Sequence, residues 1–130
     1  MNSIKYSFGG KYKWHLDEAI ARQVDIPGEI NHEYYSLHHG VLVAKKGYEW
    51  DGASGPAIDT ANFMRGSCIH DLLYQLMRDG IINRKKYRKR CDQIMRAICL
   101  EDGMSKIRAW WVYSGVRIGA GASAKGDRSK

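Results

Sequence analysis

The sequence predicts an α+β protein in which an N-terminal antiparallel β-hairpin or meander is followed by a three-helix C-terminal half. Short runs of aromatic and β-branched residues, separated by glycine and proline, occupy the first part of the chain. Later, apolar residues recur at helical spacing, and Asp-Gly pairs at 79–80 and 102–103 divide that region into three. A chain of 130 residues has no room for two cores. We therefore expect one domain at 1–121 and a basic tail at 122–130.

The β-structure is expected to centre on a hairpin. Residues 34–37 and 40–44 are rich in tyrosine, leucine and valine, and they flank the turn formers His38-His39-Gly40. Residues 16–22 contain several helix-forming residues, so a short helix competes with a strand there. Residues 51–56 contain two glycines and a proline, which prevent regular structure and predict a loop.

Three helices are expected in the C-terminal half. The first has capping residues at positions 59, 60 and 62 and stops at Asp79-Gly80. The second runs from position 83 or 84 to Leu100, and the third begins near Ser105 and stops at residues 119–121. The third helix carries Ile107, Trp110, Trp111, Ser114 and Ile118.

Positive charge is concentrated in the helical half. Residues 1–60 contain six Lys/Arg and eight Asp/Glu, whereas residues 61–130 contain fifteen and six. The densest part runs from Arg84 to Arg90 with the sequence RKKYRKR, and we call it the basic segment. Such a field attracts polyanions, so nucleic acid and an anionic membrane are the expected partners. The alternative is a solvated helix face without a partner.

The sequence carries no sign of secretion or of membrane insertion. Its first residues contain no apolar run followed by a small-residue cleavage site, so no secretory signal is expected. No transmembrane helix is expected either, because the most apolar stretch, residues 107–120, is short and interrupted by Arg108 and Arg117. The three cysteines form no CxxC pair, which predicts reduced intracellular thiols and argues against a zinc site.

The stretch CIHDLLY, residues 68–74, is an apolar helical segment that contains three polar groups. His70 and Tyr74 are one turn apart and point to the same side, whereas Asp71 lies about 100° around the helix axis. The next helix returns antiparallel after a short connection, and Asp92 lies about as far beyond that turn as His70 lies before it. Asp92 is therefore predicted to face His70 and Tyr74, to fix the imidazole tautomer and to accept the tyrosine hydroxyl.

Two interpretations of this constellation stay open. In the first, His70 is a general base oriented by Asp92, and water is the nucleophile because Cys68 and Cys91 fit core thiols better. In the second, the His–Asp–Tyr group is a hydrogen-bonded polar network inside the core.

A calcium site is predicted beside this group. Asp71 points away from His70 and is expected to meet the loop that contains Gly52 and Gly55. A carboxylate and backbone carbonyls are hard oxygen ligands that suit calcium, and such an ion would polarise a carbonyl and stabilise an oxyanion.

Several motifs resemble those of a family of unknown function from tailed phages and prophages. They are GYEWDGASGP at 47–56, IHDLLY at 69–74 and RCDQIM at 90–95, with the aromatic segment RAWWVY at 108–113 in the final helix. The resemblance covers roughly residues 40–120. It implies a phage or prophage origin, and so a location in the host cytoplasm or the virion, but it implies no activity.

The motif His70-Asp71-x-x-Tyr74 is also similar to the HD-x-x-Y helix of phospholipase A2, including the version in parvovirus capsid proteins. This resemblance implies that Asp71 and a glycine-rich loop hold calcium, that His70 is the base, that Asp92 orients it and that Tyr74 supports Asp92. The chain departs from that family in the spacing of its loop, in lacking the disulfide framework and in its β-rich first half.

Two classes of function follow. The first is a calcium-dependent lipid or ester hydrolase whose basic segment suits an anionic membrane. The second is a non-catalytic virion component, such as a minor capsid, tail or adaptor subunit, in which the polar network is structural and the basic surface binds DNA or a neighbouring subunit. A metal-dependent phosphohydrolase is a weaker third hypothesis, because it needs a further helical histidine.

Overall fold

A computed structural model of the chain describes residues 4–9, 12–52 and 59–119. Within these ranges antiparallel strands come first and three helices follow, which confirms the predicted α+β class. The strands are β1 Tyr6–Phe8, β2 Trp14–Leu16, β3 Ile20–Gln23, β4 Ile30–Asn31, β5 Tyr35–His38, β6 Val41–Ala44 and β7 Glu49–Trp50. The helices are α1 Ala61–Arg78, α2 Arg84–Glu101 and α3 Lys106–Gly119. The predicted tail at 122–130 lies outside the described residues.

The strands form two antiparallel sheets, with the orders β1-β2-β7 and β3-β6-β5-β4. The predicted hairpin is confirmed, because β5 and β6 pair in register from Tyr35 with Ala44 to His38 with Val41. The short helix considered for residues 16–22 does not form, and β2 and β3 occupy most of that segment instead. In β3 the residues alternate between half-buried and exposed while the strand pairs with β6. This cross-strand pairing outweighs the helix propensity of the segment.

The turn of the β5–β6 hairpin is a tight two-residue turn. His39 and Gly40 have φ values of 48° and 77°, and positive φ at both positions is characteristic of a type I′ turn. The carbonyl oxygen of Gly40 accepts the N–H groups of Val24 and Asp25 at 2.8 and 3.0 Å. The turn is therefore tied to the segment that follows β3.

Helix α1 is the central element of the helical half. It is buried on almost every side, contacts β6 and β7, and packs antiparallel against α2. The main core lies between α1 and the sheets. A smaller core among the three helices contains Phe63, Met95, Cys99, Met104, Ala109 and Val112. The turn between α1 and α2 ends at Asn83, whose side chain accepts the Lys86 N–H at 3.0 Å and caps α2.

Helix α3 has apolar residues on two faces. Ala109 and Val112 face the smaller core. Four other apolar residues of α3 point outward, and their exposed fractions are 84% for Ile107, 57% for Trp110, 47% for Trp111 and 87% for Ile118. We call these four residues the apolar stripe. No helix in the described ranges is long and apolar enough to cross a membrane.

The three cysteines are free and buried in the helical half. Burial raises the pKa of the Cys91 and Cys99 thiols to about 12, and it raises the pKa of Cys68 well above its ordinary value. All three thiols therefore stay protonated at neutral pH, as expected for core thiols rather than nucleophiles.

Helices α1 and α2 approach each other closely at Gly66. A Cβ atom at this position would lie 2.7 Å from Sγ of Cys99 and 3.2 Å from the carbonyl oxygen of Met95. Because the added side chain would overfill this contact, Gly66→Val is expected to lower the free energy of unfolding by about 1–3 kcal/mol in urea titrations. In a Cys99→Ala background, which lacks the sulfur atom, Gly66→Val should cause a smaller loss. An equal loss with and without the sulfur would contradict this explanation.

Candidate functional site

The predicted His–Asp–Tyr group forms between α1 and α2. Nε2 of His70 lies 2.7 Å from Oδ1 of Asp92, and the Tyr74 hydroxyl donates to the same oxygen at 2.6 Å. An ionised carboxylate only accepts hydrogen bonds, so Nε2 of His70 carries a proton and donates it. The rings of His70 and Tyr74 lie against each other with their centroids 4.2 Å apart. The predicted contacts of Asp92 with His70 and with Tyr74 are therefore present in the structure.

Asp92 has a third partner that the sequence interpretation missed. Arg117 of α3 donates from Nη1 to Oδ2 of Asp92 at 2.8 Å. Burial alone would raise the pKa of Asp92, but the hydrogen bonds from His70 and Tyr74 and the Arg117 guanidinium outweigh it and hold the pKa below its ordinary value. Asp92 is therefore ionised at neutral pH, although it is fully buried.

A second arginine supports the group from the other side of Tyr74. Arg88 donates from Nε to the Tyr74 hydroxyl at 3.1 Å, and from Nη2 to the carbonyl oxygens of Val116 and Arg117 at 2.9 and 3.0 Å. The network thus fastens the C-terminal part of α3 to the α1–α2 pair. A signal for both arginines was available, because a buried carboxylate requires compensating positive charge.

The basic segment is only partly a surface feature. Arg88 is used inside the protein, and Arg90 donates to the carbonyl oxygen of Val24 at 3.3 and 3.2 Å. Lys85, Lys86 and Lys89 remain exposed, and Arg90 is exposed as well. The positive surface is therefore smaller than the run of charges indicates, and its binding to nucleic acid or to an anionic membrane stays a prediction.

His70 forms part of the wall of a cleft with a volume of about 930 Å³. The cleft walls include Tyr48, Trp50, Asp71, Trp111 and Gly115. His70 keeps 7% of its surface exposed, whereas Asp92 behind it keeps none. Nδ1 of His70 has no hydrogen-bond partner among the described residues. A neutral imidazole held through Nε2–H has its lone pair on Nδ1, the atom that could accept a proton from a molecule in the cleft.

Asp71 lies beside the same cleft and meets Gly52, as the sequence predicted. Burial raises the pKa of Asp71 to about 6, and the negative charge of Asp51 adds to this effect. The electrostatic interaction with His70 and a hydrogen bond from the Gly52 N–H lower the pKa of Asp71 and so act in the opposite direction. Gly52 has a φ of 81°, and a Cβ atom there would lie 2.7 Å from the carboxylate of Asp59, so the position requires glycine.

The predicted calcium ligands are only partly represented in the described residues. The environment of Asp71 disfavours the charged form of its carboxylate, and a bound cation would stabilise that charged form. Gly52 presents its N–H to Asp71 and acts as a hydrogen-bond donor there. Gly55 lies outside the described residues. No cluster of three metal-binding side chains surrounds Asp71 within residues 4–9, 12–52 and 59–119. Calcium binding stays a prediction that depends on the Asp71 carboxylate.

The raised pKa of Asp71 makes stability depend on pH. Because the folded-state pKa of about 6 lies above the ordinary 3.8, the fold loses stability as pH rises from about 4 to about 6. The difference between the two pKa values corresponds to a loss of at most about 3 kcal/mol in the free energy of unfolding. Because Asp71 is partly exposed, we expect a loss of about 1–2 kcal/mol. Asp71→Asn should therefore be more stable than the wild type at pH 7.5 and equally stable near pH 4 in urea unfolding. A difference that does not vary with pH would contradict this cause, and exposed Asp79→Asn is the control.

Comparisons with known proteins identify one family. A family model described as "Protein of unknown function (DUF1353)" matches residues 29–116. The matched range includes His70, Asp71, Tyr74 and Asp92 but ends one residue before Arg117. No curated protein and no solved structure matches the chain.

Proposed function

We propose, for a chain that belongs to the DUF1353 family of proteins of unknown function, that it is a phage-encoded lipid or ester hydrolase with a phospholipase A2-like His–Asp dyad. The observation that carries the proposal is the two-sided environment of His70. On one side Nε2 is fixed at 2.7 Å by a buried, ionised Asp92. On the other side the imidazole borders a cleft large enough for a substrate.

In the proposed reaction the base is Nδ1 of His70. It takes a proton from a water molecule in the cleft while the water oxygen bonds to the carbonyl carbon of the ester. The resulting imidazolium is stabilised by the charge of Asp92. When the tetrahedral intermediate collapses, the bond to the leaving alcohol breaks and His70 returns the proton to that alcohol. Tyr74 and Arg117 act through Asp92, whose position they fix.

Calcium is the proposed cofactor, and Asp71 is the described residue that would hold it. When bound, calcium supplies positive charge that polarises the ester carbonyl and stabilises the oxyanion. Asp71 follows His70 directly on α1, and both residues line the same cleft. The remaining ligands would be oxygen atoms of water and substrate.

Three features support an anionic lipid surface as the place of action. The cleft has aromatic walls suited to an acyl chain, and Trp111 belongs both to these walls and to the apolar stripe. Tryptophan is favoured at the boundary between lipid and water. Helix α3 carries no acidic residue. Arg117 is paired with Asp92, and the positive charges of the exposed Lys106 and the half-buried Arg108 would attract the surface that bears the stripe to anionic headgroups.

The proposal is tested by measuring fatty acid release from vesicles by the full chain. The vesicles contain phosphatidylglycerol or phosphatidylcholine, with calcium or with a chelator. We expect release that is faster from the anionic vesicles and that the chelator abolishes. Release that persists with chelator would remove calcium from the mechanism. No release from either vesicle, and none from a soluble ester, would overturn the hydrolase.

A second function is favoured by the apolar stripe itself. Ile107 and Ile118 are more than four-fifths exposed, and such residues on one helix are also typical of a subunit interface. The second candidate is therefore a non-catalytic virion component that docks onto a neighbouring subunit through α3. This candidate function predicts that peptides of this chain are detected in purified virions by mass spectrometry. A monomeric protein that is absent from virions but hydrolyses lipid would exclude it.

A further inference from the structure

The β5–β6 hairpin brings together three metal-binding side chains that are separate from the cleft. Glu29, His38 and His39 each offer one ligand atom, and these atoms lie within 4.8 Å of one another. None of the three belongs to the walls of the cleft around His70. The group is therefore independent of the proposed function.

Strand pairing explains why Glu29 reaches the histidines. Ile30 pairs with Leu37 across the antiparallel β4–β5 ladder, so the preceding Glu29 lies opposite His38, the residue after Leu37. The carboxylate of Glu29 contacts Nδ1 of His38 at 2.7 Å and accepts the backbone N–H of His39 at 3.4 Å. Glu29 thus already lies beside both histidines without a metal.

The turn fixes the positions of the two histidines. His39 occupies the left-handed region with a φ of 48°, next to Gly40, whose carbonyl oxygen is held by two backbone N–H groups. The rings of His38 and His39 are nearly perpendicular, with centroids 4.0 Å apart. Since both histidines come from one short, anchored turn, a metal ion would order few further backbone torsions.

The chemistry of the three groups selects the class of metal. Two imidazoles and one carboxylate are ligands of zinc and of other late first-row divalent ions, whereas calcium and magnesium require mainly oxygen. In a tetrahedral zinc site, bonds of about 2.0–2.1 Å place the ligand atoms roughly 3.4 Å apart. Glu29 and His38 would separate slightly from their present contact, and all three side chains are exposed and free to adjust.

We propose that Glu29, His38 and His39 form a surface site for a divalent transition metal such as zinc, with the remaining coordination position open to water. The metal would replace the present contact between Nδ1 of His38 and the Glu29 carboxylate. It would tie the start of β4 to the hairpin turn and stabilise this edge of the four-stranded sheet.

The test is calorimetric titration of the full chain with zinc chloride at pH 7.5 and pH 5.5. We expect one zinc ion per chain at pH 7.5 and weaker binding at pH 5.5, because protons compete for the histidine ligands. His39→Asn should weaken binding at least tenfold while preserving the turn, since asparagine tolerates positive φ. Glu29→Gln should also weaken binding, and exposed His32→Ala should not.

Two results would overturn the proposal. One is the absence of zinc binding to the wild type. The other is an affinity that the His39→Asn and Glu29→Gln variants leave unchanged, because zinc would then be bound elsewhere. Magnesium chloride is the negative probe, and binding of magnesium as tight as zinc would contradict the assigned ligand chemistry. Lipid hydrolysis is not measured in this experiment, so the metal site and the hydrolase are tested independently of each other.

Discussion

His70→Gln is expected to lower the rate of ester hydrolysis by about 10²–10⁴-fold, because it removes the group that accepts a proton from water in the proposed mechanism. Glutamine is close in size to histidine, and its amide nitrogen can occupy the position of Nε2 and still donate a hydrogen bond to Asp92. The loss should therefore appear in kcat, with little change in the free energy of unfolding. The measurement is fatty acid release from anionic vesicles, together with urea unfolding of the same preparation.

Two comparisons make this prediction specific. His15→Asn changes a half-buried histidine of β2 that does not line the cleft, and it should retain full turnover. Tyr74→Phe keeps the His70–Asp92 contact but removes one donor to Asp92, so a smaller loss is expected. Turnover of His70→Gln equal to that of the wild type would reject His70 as the base and leave the polar network with a structural role.

Asp92→Ala is expected to lower the free energy of unfolding by about 3–5 kcal/mol. The variant leaves the donors of His70, Tyr74 and Arg117 around an empty buried position, and each of them loses its acceptor. Asp92→Asn should cost less, because the amide oxygen still accepts one hydrogen bond. Urea unfolding followed by circular dichroism measures both values, with exposed Glu33→Ala as the control.

The same carboxylate gives a pH dependence opposite to that of Asp71. The folded-state pKa of Asp92 lies below its ordinary value of 3.8, so its stabilising effect is present above about pH 4 and is lost as pH falls further. The difference in stability between the wild type and Asp92→Asn should therefore narrow below pH 4. A difference that stays constant to lower pH would show that the charge of Asp92 contributes nothing.

The α1–α2 part of the site was predictable because its geometry is local. Two helices joined by a short turn have nearly fixed heights, so counting residues from Gly80 was enough to place Asp92 against His70 and Tyr74. The contact of Asp71 with Gly52 was expected on other grounds, from the direction in which Asp71 points and from the resemblance to phospholipase A2. Only the contacts of Asp92 with His70 and Tyr74 follow from helix periodicity and chain connectivity alone.

The contribution of α3 could not be obtained in this way. Its rotation about its own axis depends on which apolar face packs inward, and both faces of this helix are apolar. The small residues Ala109 and Val112 pack against the core, while the larger Trp110 stays outside. That rotation directs Arg117 toward Asp92, so the third partner of the carboxylate follows from packing and not from spacing.

The three buried cysteines can be used to measure how often the helical half of the protein opens. A protonated thiol without solvent access does not react with iodoacetamide, so alkylation must wait until the surrounding helices separate. Cys68 and Cys91 belong to the core against the sheets, and Cys99 belongs to the smaller core among the helices. Alkylation rates followed peptide by peptide by mass spectrometry would therefore reveal whether the two cores open together or in succession, without any introduced label.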